Sequence, residues 1–98
     1  GFPFHAPGKD PKDRLDHLET ITAPLLIVQG TRDTMGTQEE VSGYFNDGRI
    51  NDSIQVNWLE DGNHDLKPRI KSGFSHQQHI DSAIDQVANF ILRVNSIT

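Results

Sequence analysis

A continuous apolar run is the feature that most constrains how this chain can fold. Residues Leu25–Val28 are all aliphatic and lie between Pro24 and Gly30. A short run of this kind, closed by residues that break regular structure, is typical of a strand buried on both faces of a parallel sheet. Such a strand needs a pairing partner on each side, and the rest of the sequence indicates only one.

The second strand is indicated from Ile54 to Trp58, where apolar and polar residues alternate with the period of a strand near a sheet edge. Between the two strands, Thr37 and Glu40 form a capping-box pattern that opens an amphipathic helix ending near Gly48. Strand, helix and strand in this order predict a parallel, right-handed βαβ unit.

Further helices flank this unit. Asp10 followed by Pro11 indicates a short helix after an ordered opening loop. Ser75 and Gln78 form a second capping-box pattern, which opens a long helix. One face of that helix is apolar and carries Ile80, Ala83, Ile84, Val87, Ala88, Ile91 and Leu92. We expect an α/β fold, a three-layer α/β/α fragment: a loop and short helix (1–23), the βαβ unit (24–60), and a loop with a C-terminal helix (61–98).

Composition excludes several classes of partner. The net charge is -5, whereas nucleic-acid binding depends on clustered Lys and Arg. The one basic cluster, Lys67, Arg69 and Lys71, is interpreted as a solvated loop. No apolar run approaches the roughly 20 residues that span a bilayer. The absence of cysteine excludes disulfides and fits a reducing compartment, so we expect a cytoplasmic protein that binds neither nucleic acid nor membrane.

Two residues that can do chemistry follow the two predicted strands. Asp33 lies three residues after Gly30, and His64 follows the second strand in the loop Glu60–Leu66. Because the carboxyl ends of adjoining parallel strands meet at one sheet edge, their side chains are expected to pair. An Asp that accepts the Nδ1 proton of a His leaves Nε2 to take a proton from a nucleophile. The alternative is that Asp33 only stabilises its own turn and that His64 is an ordinary loop histidine.

Two segments, Leu26–Asp33 and Trp58–Asp65, resemble the acid-bearing and histidine-bearing loops of the α/β-hydrolase superfamily. With Gly1–Lys9 and Asp65–Arg69, the chain is similar to a dienelactone-hydrolase-like branch. That branch includes small bacterial proteins and a subunit of a chromatin acetyltransferase complex that looks non-catalytic. The resemblance extends over essentially the whole chain and implies that Asp33 and His64 are the acid and the base of a catalytic triad.

The resemblance also implies an upstream half that carries the nucleophile on a Gly-x-Ser-x-Gly elbow. The serines present here lack the flanking glycines: Ser42, Ser53, Ser72, Ser75, Ser82 and Ser96. The expected function is therefore that of a serine hydrolase of small ester, thioester or lactone substrates that is inactive without its N-terminal half. No cofactor is expected. His5 is predicted to line the substrate pocket, because the opening loop borders the active-site mouth in the resembled fold.

Several alternatives stay open. The chain is alternatively a non-catalytic interaction or scaffold module, as the subunit-like relatives suggest. Asp61, His64 and Asp65 are a candidate metal site, which we do not favour because adjacent loop residues rarely point at one ion. Phe4 and Trp58 are assigned to the core, and His76 and His79 to the surface. The unpaired edge of Leu25–Val28 is expected to bind the N-terminal half or a second copy of the chain.

Overall fold

The computed structural model describes residues 1–97. Its elements are α1 (Lys12–Glu19), β1 (Leu25–Gly30), α2 (Gln38–Asn46), β2 (Ile54–Leu59), a short 3-10 turn (Ile70–Ser72) and α3 (His76–Ile97). The predicted α/β order is confirmed, and the 3-10 turn is the one element that the sequence patterns did not indicate.

The two strands form a parallel sheet. The register pairs Leu25 with Ile54 at one end and Gly30 with Leu59 at the other, so both strands end at the same edge. Within residues 1–97, β1 has β2 as its single pairing strand. Residues 25, 26 and 28 are consequently only half-buried, and the predicted burial of the strand on both faces is incomplete.

The core lies on the face of the sheet that α1 and α2 cover. Its fully buried side chains include Leu18 of α1, Val41 of α2 and Phe4 of the opening loop, at 0% exposure each. Ile27 and Ile54 contribute from the sheet, and Trp58 packs against this cluster while partly buried. The core assignments of Phe4 and Trp58 are thus confirmed.

The other face of the sheet carries α3. Val28 of β1 and Leu66 line a shallow cavity together with α3 residues Ile80, Ala83, Ile84 and Val87, and Arg93 donates to the Gln55 side chain at 2.6 Å. Much of the apolar face of α3 is nevertheless uncovered: Ile84 is 60% exposed and Leu92 is 68% exposed. A sheet of two strands is too narrow to cover a helix of 22 residues.

Side chains fix where the helices begin. Thr37 Oγ1 accepts from the backbone N–H of Glu40 at 3.3 Å, and Glu40 Oε1 accepts from that of Thr37 at 3.4 Å. Ser75 and Gln78 make the same reciprocal pair at 2.8 and 3.1 Å. Both predicted capping boxes are confirmed. Each satisfies two N–H groups that have no partner in the helix itself.

The assignment of His79 to the surface was wrong. Its ring is only 4% exposed, and its Nε2 hydrogen-bonds to the carbonyl of Glu60 at 2.7 Å. The side chain is buried because α3 passes over the end of β2 at this turn, with Phe74 stacked beside the imidazole at 5.1 Å between ring centroids. His76, one turn earlier, is exposed as predicted. Among the helices of residues 1–97, none has the length and apolar character required to cross a membrane.

Candidate active site

The loops that follow the two strands touch at a pair of glycines. The backbone N–H of Arg32 donates to the carbonyl of Gly62 at 3.0 Å. A Cβ atom on Gly30 would overlap that same carbonyl and lie 2.6 Å from the carbonyl oxygen of Asn63. The close approach therefore requires glycine at position 30, and it brings the two loops into backbone contact.

Asp33 is completely buried, and its two carboxylate oxygens have different partners. Oδ1 accepts from the backbone N–H of Met35 at 2.8 Å, which closes the turn after β1. Oδ2 accepts from Nδ1 of His64, also at 2.8 Å. The side chain therefore performs both the turn-stabilising role and the His-pairing role, one with each oxygen.

His64 lies in a turn closed by its own hydrogen bonds. Asn63 Oδ1 accepts from the backbone N–H groups of Asp65 and Lys67 at 2.9 and 3.0 Å, and Leu66 takes a positive φ of 66°. A left-handed conformation is unusual for a residue as bulky as leucine and marks a turn held by its surroundings.

This turn directs the two nitrogens of His64 to different environments. Nδ1 donates to the acceptor-only carboxylate of Asp33, which leaves Nε2 without a proton in the neutral ring. The imidazole side chain is 38% exposed. Within residues 1–97 no group hydrogen-bonds to Nε2, so this atom is available to a proton donor that approaches from the exposed side.

Gln29 joins the opening segment to the acid loop. The side chain is fully buried at the end of β1. Its amide accepts from the backbone N–H of Phe2 at 2.6 Å and donates to the carbonyls of Phe2 and Gly36 at 3.0 and 3.1 Å. The amide thus holds Gly36, three residues after Asp33, against the opening segment. The sequence suggested no role for this residue.

An ion-pair cluster with two exposed arginines surrounds the buried carboxylate of Asp61. Its carboxylate accepts from Arg69 Nη2 at 2.5 Å and lies 3.5 Å from Nη1 of Arg32. Hydrogen bonds from the Arg69 guanidinium and backbone N–H hold the pKa of Asp61 well below its usual range. Lys67, Arg69 and Lys71 are exposed, as a solvated basic loop predicts, and the guanidinium of Arg69 is in addition bound to this carboxylate.

His5 is buried beside the acid loop and is engaged through both ring nitrogens. Nδ1 bonds the carbonyl of Ala6 at 2.8 Å, and Nε2 bonds Glu40 Oε2 at 2.6 Å. The Ala6 carbonyl, and after it the Glu40 carboxylate, raise the pKa of His5 despite its burial. The imidazole holds the opening loop against α2, and the predicted substrate-binding role stays a prediction.

The other candidates from the sequence are not assembled into sites. In the part of the chain that the structure describes, no group of three or more His, Asp or Glu side chains lies in a metal-binding arrangement. Five of the serine hydroxyls form hydrogen bonds with groups other than His64: Ser53, Ser72, Ser75, Ser82 and Ser96. The arrangement therefore provides an imidazole bound to a buried carboxylate, with the position facing Nε2 open among the described residues.

The local patterns that revealed Asp33 and His64 could not reveal the residues that support them. Gln29, Asp61, Arg69 and His79 act through partners 7 to 30 residues away in the sequence. One feature of the sequence could have indicated the ion pair between Asp61 and Arg69: a carboxylate lies eight residues before an arginine in the same polar loop.

A family model described as an alpha/beta hydrolase domain matches residues 1–92. No curated protein and no solved structure matches the chain. The match includes both loops of the candidate site and the opening segment, and the narrower resemblance to a dienelactone-hydrolase-like branch stays a prediction.

Proposed function

This chain belongs to the alpha/beta hydrolase domain family, and we propose that Asp33 and His64 are the acid and the base of a Ser-His-Asp triad in a hydrolase of small esters, thioesters or lactones. The observation that carries the proposal is the 2.8 Å hydrogen bond between buried Asp33 Oδ2 and His64 Nδ1, together with an open Nε2. The order acid, then histidine, is that of α/β-hydrolases.

In the proposed reaction, Nε2 of His64 takes the proton of a serine hydroxyl as its oxygen attacks the acyl carbon of the substrate. The bond to the leaving group then breaks, and the imidazolium returns the proton to the departing oxygen or sulfur. Water repeats the sequence on the acyl-serine and releases the acid. Asp33 keeps Nδ1 protonated and stabilises the positive ring at each stage.

The nucleophile in this proposal comes from a segment outside these 98 residues. The serines of the chain lie outside any Gly-x-Ser-x-Gly sequence, and an elbow of that kind must follow a strand to present its hydroxyl at the sheet edge. The same segment is proposed to pair with the open edge of β1. The 98 residues alone are therefore expected to be inactive.

The test is hydrolysis of short acyl nitrophenyl esters and thioesters by the full-length protein. Asp33→Asn should lower kcat by a factor on the order of 10⁴, because the amide stabilises the wrong imidazole tautomer. Asp65→Asn is the matched control, since Asp65 is exposed in the histidine loop, and it should hydrolyse the esters at the wild-type rate. A loss below about tenfold for Asp33→Asn is too small for a triad acid and would refute the assignment.

A second candidate function is a non-catalytic interaction module. The observation that favours it is the apolar face of α3, on which Ile84, Ile91 and Leu92 are each more than half exposed. Exposed apolar patches mark interaction surfaces. A full-length protein that lacks a Gly-x-Ser-x-Gly elbow and that hydrolyses none of the esters would support this function over the enzyme.

A further inference from the structure

We propose that Asp61 is a positioning residue for the Asp33–His64 pair, because it ties the histidine loop to itself and to the acid loop. The contacts are properties of the fold, and only the effect on turnover rests on the proposed function. Asp61 does not touch either member of the pair through any described hydrogen bond. Its action is on the backbone that carries them.

The first set of contacts closes the histidine loop. Oδ2 of Asp61 accepts from the backbone N–H of Arg69 at 2.8 Å, and Oδ1 accepts from Nη2 of the same residue at 2.5 Å. The Nε of Arg69 is 3.1 Å from both oxygens. His64 lies between these two residues in sequence, so the pair joins the two ends of the segment that holds the imidazole.

The second set of contacts joins Asp61 to the acid loop. Its backbone N–H donates to Thr31 Oγ1 at 2.8 Å, and its carbonyl accepts from Arg32 Nη1 at 2.9 Å. The Nη1 of Arg32 also lies 3.5 Å from Oδ2. Thr31 and Arg32 immediately precede Asp33. Asp61 therefore bonds to the acid loop, which carries Asp33, as well as to the histidine loop, which carries His64.

Because the carboxylate of Asp61 is buried, its stability depends on these contacts. Asp61 is 7% exposed, and a buried carboxylate is tolerated only where cations and N–H groups bond to it. The two arginines and the Arg69 amide satisfy that requirement. Removing the negative charge breaks the ion pair with Arg69 and loosens the two ends of the histidine loop, while the backbone bonds of Asp61 to Thr31 and Arg32 remain.

The geometry that Asp61 maintains is strict. Proton sharing between Asp33 and His64 depends on a 2.8 Å separation, and a displacement of about 1 Å in a catalytic group costs roughly 10²-fold in rate. Both loops are irregular, so neither a helix nor a strand fixes them beyond Gly30 and Leu59. The Asp61 cluster adds to the constraint that the contact between Gly62 and Arg32 provides.

The test compares Asp61→Asn with Asp65→Asn in the full-length protein. Asp61 has a φ of 63°, and asparagine tolerates this left-handed conformation as well as aspartate does. The substitution therefore removes the charge without a new backbone strain. Asp65→Asn makes the same change at an exposed position of the same loop.

The first readout is the downfield NMR signal of the Nδ1 proton that His64 shares with Asp33. It should be lost in Asp61→Asn, because the loosened loop exposes the proton to exchange with water, and it should persist in Asp65→Asn. The second readout is ester turnover, in which kcat should fall by about 10²-fold with little change in KM. Persistence of the proton signal in Asp61→Asn would overturn the proposal.

Arg69→Lys protects the test against a folding failure. Lysine keeps the charge but not the forked geometry that bonds both carboxylate oxygens. It should broaden the signal and lower kcat by about tenfold, within the range that small misplacements cost. A wild-type signal in this variant also counts against the proposal.

The two readouts separate the inference from the proposed function. Loss of the signal without any ester turnover in the wild type would leave the positioning role standing and remove the hydrolase. If Asp33→Asn loses turnover while Asp61→Asn keeps the wild-type signal and rate, the hydrolase function stands and the positioning role of Asp61 is refuted.

Discussion

The carbonyl oxygen of Gly62 occupies the space where a side chain on Gly30 would begin, and it accepts the backbone N–H of Arg32 at 3.0 Å. This contact sets the separation of the two loops that carry Asp33 and His64. The candidate site thus depends on the contact between Gly30 and Gly62, because the carboxylate and the imidazole meet only while the loops stay this close.

Gly30→Ala should therefore destabilise the protein by about 1–3 kcal/mol, the usual cost of forcing extra atoms into a packed site. The matched control is Gly43→Ala in α2, where a Cβ meets nothing within 4 Å. That change should stabilise by about 0.5–1 kcal/mol, because alanine favours a helix over glycine. Urea unfolding followed by circular dichroism measures both, and equal stabilities for the two variants would contradict the role of Gly30.

Gln29→Leu should lower the free energy of unfolding by about 1–3 kcal/mol for each buried backbone group left without a partner. The groups concerned are the N–H of Phe2 and the C=O of Gly36, because the C=O of Phe2 keeps a hydrogen bond from the backbone N–H of Phe4 at 3.1 Å. Gln77→Leu is the control, because the exposed Gln77 makes a single bond to Asp81 one turn away. It should change stability by less than about 0.5 kcal/mol. A Gln29→Leu protein as stable as the control would show that the amide is dispensable.

The His5–Glu40 pair should make stability depend on pH near neutrality. The Ala6 carbonyl and Glu40 raise the pKa of His5 in the folded protein, so the folded state binds this proton more tightly than the unfolded one. The stabilisation is fully present below the unfolded value of about 6.5 and is lost as the pH rises through the raised folded value.

His5→Gln should remove that part of the pH dependence. Urea midpoints measured on the acidic and alkaline sides of this window should differ more in the wild type than in the variant. His17→Gln, which replaces an exposed imidazole in α1, should keep the wild-type dependence. A His5→Gln protein whose midpoint changes with pH as the wild type's does would contradict the prediction.

The uncovered apolar surface predicts self-association of the 98-residue chain. Hydrogen bonds alternate along a parallel ladder, so the backbone N–H and C=O groups of Leu26 and Val28 point away from β2. On α3, the side chains of Ile84 and Leu92 are exposed. Light scattering should detect dimers or larger species. Leu92→Glu should reduce them, whereas Gln77→Glu, on the exposed start of the same helix, should not. A monomer with cooperative unfolding would contradict the prediction.

The helices, the strands and their order could be predicted because each depends on residues close together in sequence. The Thr37–Glu40 capping box needs only a three-residue spacing, and the Leu25–Val28 run needs only its own side chains. The meeting of Asp33 and His64 was also predictable, since parallel strands joined by a crossover place their carboxyl ends at one edge.

The sequence did not predict the contacts that hold this edge together. The burial of His79, the Gln29 amide bonds and the Asp61–Arg69 ion pair depend on where folded elements place atoms that no periodic pattern relates. Patterns also could not show how much of α3 stays uncovered, because exposure depends on the width of the sheet beneath it. Short-range preferences thus determined the elements, and the order of those elements predicted that Asp33 and His64 meet. Packing between elements alone decided the surroundings of that pair, since burial and hydrogen bonding over long separations exist only in the assembled fold.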